Sequence, residues 1–273
     1  FRYLLQMSGF RVLLIILMMM TGRLGVDAYV GFNLATRLQR KPLPPLDAAK
    51  ILKSNYSHLT HIKLFDYNEA YLSALHEAGF KNVVVSVPNV ELAQLAGGDH
   101  AKHVTEILSP YVDSGMHVTI AVGNEPLAPW YGGAFRDLLV PALTSMRAAL
   151  LAKGMGSVHL TVPLSFESLS VSYPPAAGEF RADAQDVIRS VCRILRNHSS
   201  SFFINNYPFF AHRSGDVPLD YALLQTSHTV DDFTYANMME AQMVALRNAL
   251  LKLDHDFVRA NLPIVLGETG WPT

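Results

Sequence analysis

Two glutamates carry the chemistry available to this sequence. Glu268 stands in Gly267-Glu268-Thr269-Gly270-Trp271-Pro272-Thr273, directly after the apolar run Leu262-Pro263-Ile264-Val265-Leu266. Glu125 stands in Gly123-Asn124-Glu125, directly after the run His117 to Val122. A carboxylate at the C-terminal tip of a buried strand, followed by loop-forming residues, is where an α/β barrel keeps its reacting groups. Two such carboxylates on one rim suit hydrolysis of a glycosidic bond. One protonates the leaving oxygen, while the other attacks the anomeric carbon or activates a water. Direct attack expects the two carboxyl groups about 5–5.5 Å apart. A partly buried glutamic acid holds its proton toward neutral pH, because burial disfavours the charged form. Asn124 adds an amide for a sugar hydroxyl or the opposite carboxylate. Trp271, with Tyr207, Phe209 and Phe210, adds flat apolar faces on which the C–H faces of sugar rings can pack.

The elements that must position these residues alternate along the chain. Short apolar runs predict strands at Tyr29–Leu34, His58–Phe65, Asn82–Val87, His117–Val122, Val158–Pro163, Phe202–Asn206 and Leu262–Leu266. Between them, helical spacing covers Leu46–Ser54, Glu69–Ala78, His103–Ser114, Phe135–Lys153, Ala184–Asn197 and Thr234–Leu253. Pro141 falls within the fourth helix and predicts a kink or a later start. Repeated strand–helix units predict a parallel sheet with right-handed crossovers. No glycine-rich phosphate turn follows the first strand, and polar and aromatic residues gather after several strands. Both points favour a (β/α)8 barrel over an open doubly wound sheet. Seven strands are legible, so an eighth strand and its helix are expected beyond Thr273.

Composition narrows the partners. The chain has 273 residues, 50% of them hydrophobic, and a formal net charge of −1. That length suits one barrel domain, here residues 29–273. The near-neutral balance gives no footprint for nucleic acid or an anionic membrane. Arg37, Arg40 and Lys41 read as a solvated loop. Val12 to Met20 is apolar but too short to span a bilayer, and with Val26-Asp27-Ala28 it predicts a secretory signal over residues 1–28. Asn55-Tyr56-Ser57 and Asn197-His198-Ser199 are glycosylation sequons in a secreted protein. Cys192 is alone and reads as a buried, inert thiol. The histidines, 11 in all, show no metal-ligand spacing, so no metal and no cofactor are expected.

The motifs carry a resemblance. Val122-Gly123-Asn124-Glu125, Ser172-Tyr173-Pro174-Pro175, Asn206-Tyr207-Pro208-Phe209-Phe210 and Gly267-Glu268-Thr269-Gly270-Trp271-Pro272 resemble, in order and spacing, the motifs of plant β-1,3-glucanases of glycoside hydrolase family 17. Lys63-Leu64-Phe65-Asp66 and Val84 to Asn89 are similar to the family's second- and third-strand motifs. The resemblance implies a TIM-type barrel, a retaining mechanism with Glu125 as acid/base and Glu268 as nucleophile, and β-1,3-glucan as substrate. It implies sugar contacts from Asn33, Phe65, Asn124, Tyr207, Phe210 and Trp271, and a secreted, monomeric, cofactor-free enzyme. The sequence departs from the family where Leu34-Ala35-Thr36 follows Asn33 and where Phe65 replaces a tyrosine. Those departures motivate one alternative, a glucan-binding protein with little turnover; the eighth strand expected beyond Thr273 motivates another, an inactive truncated product.

Overall fold

The computed structural model describes residues 29–36, 43–259 and 262–272. The expected signal segment 1–28 and the cluster Arg37, Arg40, Lys41 lie outside the described residues.

The first half runs β1 (Gly31–Leu34), α1 (Pro45–Asn55), β2 (His61–Leu64), α2 (Glu69–Glu77), β3 (Asn82–Val87), α3 (Leu92–Ala96), α4 (Asp99–Asp113), β4 (His117–Val122) and α5 (Arg136–Ala152). It continues with β5 (His159–Thr161), β6 (Pro163–Ser165), a hairpin of β7 (Leu169–Val171) and β8 (Glu179–Phe180), α6 (Gln185–Asn197) and β9 (Phe202–Asn205). The last part holds α7 (Pro208–Arg213), α8 (Leu219–Ala222), a hairpin of β10 (His228–Val230) and β11 (Phe233–Tyr235), α9 (Met238–Leu253), α10 (His255–Arg259) and β12 (Ile264–Glu268).

Strands β1 to β5 pair in sequence order, all parallel. A second parallel sheet holds β6, β9 and β12, with β9 in the middle. Only Val162 separates β5 from β6, so the two pieces occupy one barrel position and join the sheets. The strand positions therefore follow chain order, as right-handed crossovers require. No backbone ladder joins β12 to β1 among the described residues. A side chain does: Asn33 Nδ2 donates to the Gly267 carbonyl at 3.1 Å.

Alternation sorts the strand residues. Phe32, Ile62, Val83, Val118, Ile204 and Leu266 belong to the large core shared with the helices. Val84, Ala121, Phe203 and Val265 form a separate apolar cluster on the opposite face, inside the barrel. Between β9 and α9 a small second core gathers Tyr221, Val230, Tyr235 and Met238, with Trp271 packed against it.

The structure moves several expected boundaries. Helix α4 begins at Asp99, because Gly98 takes φ 95 and turns the chain into it. Helix α5 runs unbroken through Pro141, which is exposed. Helix α9 begins at Met238, where the Asn237 side chain accepts from the Glu240 N–H; the expected start at Thr234 is strand β11 instead. The two hairpins are too short, and their turns too rich in Pro and Asp, to show a period of two.

Candidate active site

Strict alternation would put Glu268 on the same face as Ile264 and Leu266, toward the helices. A bulge prevents this. Leu266 pairs with Ile204, but Glu268, two residues on, pairs with Asn205. The extra residue turns Glu268 into the barrel, beside the Asn205 side chain. Gly267 is required for it, since a Cβ there would stand 2.7 Å from Asn205 Oδ1.

Glu268 is buried, and both of its oxygens are held. Lys63 Nζ donates to Oε1 at 2.6 Å, and the Tyr207 hydroxyl donates to Oε2 at 2.7 Å. Lys63 comes from the middle of β2, where Ile62 and Leu64 face the helices and only the residue between them faces inward. Its side chain is 1% exposed. The ammonium also donates to Asn124 Oδ1 at 3.1 Å and stands 4.8 Å from the Phe65 ring centroid. Burial first, and the Glu268 carboxylate second, push the Tyr207 hydroxyl far above the usual phenol range. It therefore remains a donor at any working pH.

Glu125 is placed differently. The chain leaves β4 through Gly123 at φ 78 and reaches Glu125 at φ 52. Asn89 clamps this turn: its Oδ1 accepts from the Asn124 N–H at 2.8 Å, and its Nδ2 donates to the Asn124 carbonyl at 2.7 Å. Only glycine fits before it, because a Cβ at residue 123 would meet Asn89 Oδ1 at 2.7 Å. A left-handed glutamate costs about 1–3 kcal/mol and persists only where its surroundings over-determine it. Here the Glu125 N–H donates to the Pro163 carbonyl at 2.7 Å, and the Ala128 N–H donates back to the Glu125 carbonyl at 2.9 Å.

The Glu125 carboxyl receives one neutral donor, Asn205 Nδ2, at 2.9 Å from Oε1. Burial raises its pKa above the usual carboxylate range. The Asn205 donor partly offsets that, the charges of Glu268 and Glu167 add to it, and Lys63 opposes it. Two carboxyls thus face one interior with different partners: an ammonium and a phenol on Glu268, burial and an amide on Glu125. Such a pair can divide the work of a nucleophile and a proton donor.

Of the residues read from the sequence, Glu125, Glu268, Asn124, Tyr207 and Asn33 meet in one hydrogen-bonded neighbourhood. Phe65 lies beneath the Lys63 ammonium. Phe210 is 52% exposed, with its ring centroid 5.7 Å from that of Tyr207. Trp271 is half-buried, stacked on His212 at 6.0 Å and edge-on to Phe209 at 5.0 Å. Sequence reasoning assigned no role to Lys63, Asn89 or Asn205. A lysine alternating with Ile62 and Leu64 in a buried strand was a legible signal. The asparagines gave none, since their partners lie 35 and 80 residues away. Among the described residues no group of three or more His, Cys, Asp or Glu side chains could hold a metal ion.

Comparison with known proteins places the chain in a family. The family model described as "Glycosyl hydrolases family 17" matches residues 30–273. Glucan endo-1,3-beta-glucosidase 8 of Arabidopsis thaliana is 34% identical over 278 residues, covering 98% of this chain and 56% of that protein. Glucan endo-1,3-beta-glucosidase GII of Hordeum vulgare is 32% identical over 210 residues, covering 74% of this chain and 59% of that one. The chain spans about half the length of the curated relatives it matches, as with the Arabidopsis protein's 56%. Among solved structures, CJP38, a beta-1,3-glucanase and pollen allergen of Cryptomeria japonica, superposes with a TM-score of 0.81 at 27% identity, covering 89% of this chain and 75% of that one. One of two plant beta-glucan endohydrolases with distinct substrate specificities gives a TM-score of 0.74 at 28% identity, covering 89% of this chain and 77% of its own.

Proposed function

Because the chain belongs to glycosyl hydrolases family 17, we propose that it is a retaining endo-β-1,3-glucanase, with Glu268 as nucleophile and Glu125 as acid/base. The observation that carries this reading is the split environment of the two carboxyls. Lys63 and Tyr207 fix both oxygens of Glu268 and leave it aimed into the barrel. Burial keeps a proton on Glu125 to higher pH than an exposed carboxyl would hold one. In the first step Glu268 bonds to the anomeric carbon while Glu125 gives its proton to the leaving sugar oxygen. In the second, Glu125 takes a proton from the water that opens the glycosyl–enzyme ester. Neither step calls on a cofactor.

The substrate follows from the relatives, whose names specify β-1,3-glucan. Secretion to a glucan-bearing wall fits the two sequons, whose Asn55 and Asn197 are exposed at the ends of α1 and α6. No helix among the described residues is long and apolar enough to cross a membrane.

The test uses a 2-deoxy-2-fluoro glucoside with a good leaving group. It is expected to label Glu268 covalently, as read by peptide mass spectrometry. Glu268→Gln and Glu125→Gln are expected to bind laminarin while releasing sugar about 10²-fold more slowly or worse. Wild-type rates in either variant, or label on another residue, sink the assignment. Retention of laminarin by the wild type without release supports the glucan-binding alternative, for which Phe65, lacking a hydroxyl, is the motive.

A further inference from the structure

Glu125 must change protonation state twice in each turnover, yet among the described residues the only side chain donating to it is a neutral amide. Asn205 is 1% exposed and its backbone is fixed on both sides, paired with Ser165 of β6 and with Glu268 of β12. Its Nδ2 donates to Glu125 Oε1 at 2.9 Å. Its Oδ1 is buried with no hydrogen-bond partner among the described residues. That orphan is notable because buried carbonyls are otherwise paired. The adjacent Asn206 behaves conventionally, its Nδ2 donating to Gln242 Oε1 at 2.8 Å and facing away from the site.

The space around the amide belongs to the same device. Oδ1 lies against Gly267, where a Cβ would stand 2.7 Å away. With no side chain at Gly267 to block it, a half-turn about Cβ–Cγ would exchange the two ends of the amide with no movement of the backbone. The two ends have nearly the same shape and opposite hydrogen-bonding character. We propose that Asn205 is a positioning residue that serves both protonation states of Glu125. Its Nδ2 donates to the carboxylate and, after the half-turn, its Oδ1 accepts from the carboxylic acid. The amide holds Glu125 in one place as acid and as base. A lysine would lock the charged form and an aspartate would oppose it. The inference rests on the reading of Glu125 as the acid/base. The other groups facing Glu125 are Glu268 from β12, Lys63 from β2, Glu167 beyond β6 and the Tyr207 hydroxyl beyond β9.

The first test needs no substrate. In the wild-type protein the Glu125 carboxyl carbon and the Asn205 side-chain N–H pair are followed by NMR against pH, with assignments from Glu125→Gln and Asn205→Ala. The Asn205 signals are expected to move with the same midpoint as Glu125. An amide indifferent to that midpoint overturns the proposal, whether or not the protein hydrolyses glucan. Failure of the glucanase reading shows separately, as no sugar release from laminarin by the wild type.

The second test is kinetic. Asn205→Ala removes a donor that favours the charged form, so the alkaline limb of kcat/KM on laminarin moves to higher pH. Turnover falls about tenfold on laminarin, which needs the acid, and about tenfold on a dinitrophenyl glucoside, whose second step needs the base. Azide restores only the second loss. Asn205→Ser, which can donate and accept, is expected to bring the limb back toward wild type. A loss on one substrate alone, or an unmoved limb in both variants, overturns the proposal. If Asn205→Ala does not fold, Asn205→Ser and the wild-type titration decide it.

Discussion

The turns after β4 and β12 deliver the same side chain to the same interior by different means. After β4 the chain is forced into left-handed backbone at Gly123 and Glu125, and Asn89 and Pro163 hold it there. After β12 the backbone stays extended and a bulge does the turning. The first carboxyl meets burial and an amide; the second meets an ammonium and a phenol. One residue type thus meets two different environments, and desolvation and nearby charge are what set a carboxyl's proton affinity. The two turns also communicate, since Asn205 pairs with Glu268 through its backbone and holds Glu125 through its side chain.

The harshest way to break the contrast is Lys63→Met. It leaves the Glu268 carboxylate buried without its cation, which costs about 3–5 kcal/mol of stability. Urea denaturation is expected to show that loss, together with collapse of activity. Tyr207→Phe removes one charge-assisted hydrogen bond to Glu268, worth about 1.5–3 kcal/mol, and leaves the apolar ring in place. The expected result is a fall in kcat of about 10- to 10²-fold together with a stability loss of up to the worth of that bond, read by steady-state kinetics beside a thermal scan.

Gly267→Ala tests the communication between the turns. The new methyl meets Asn205 Oδ1 and, as overpacking, costs about 1–3 kcal/mol. Although the change lies beside Glu268, the pH profile attributed to Glu125 is expected to shift, because Asn205 must retreat from it. A profile identical to wild type would uncouple the two turns.

In stability, though not in activity, the gentlest change is Glu125→Gln. Folding raises the pKa of Glu125, so the native state binds more protons than the unfolded chain above the usual carboxylate range. Wild-type stability therefore falls as pH rises through that window. The glutamine variant escapes the fall. It is expected to melt on the order of a few °C above wild type at pH 7 and level with it near pH 3, by scanning calorimetry.

Much of the architecture was legible because burial on both faces of parallel strands writes continuous apolar runs. Asn82–Val87 and His117–Val122 coincide with their expected bounds. Elements with little apolar pattern were missed, as with the β7–β8 and β10–β11 hairpins, whose strands are only two or three residues long. Helix starts moved where a cap or a left-handed glycine outweighed periodicity, at Asn237 and Gly98.

The sequence by itself determined the alternation of strands and helices and the two glutamates at strand tips, since hydrophobic period and turn residues are local properties. It could not determine where those glutamates point. Alternation sends Glu268 to the wrong face, and only the pairing of β12 with β9, with a bulge at a glycine, brings it inside. Nor could it supply Lys63 and Asn205 as partners, because hydrogen bonds across 205 and 80 residues of chain exist only once the strands have assembled around a common interior. In that enclosure burial, more than any single contact, raises the proton affinity of Glu125, and burial is a property of the assembled fold.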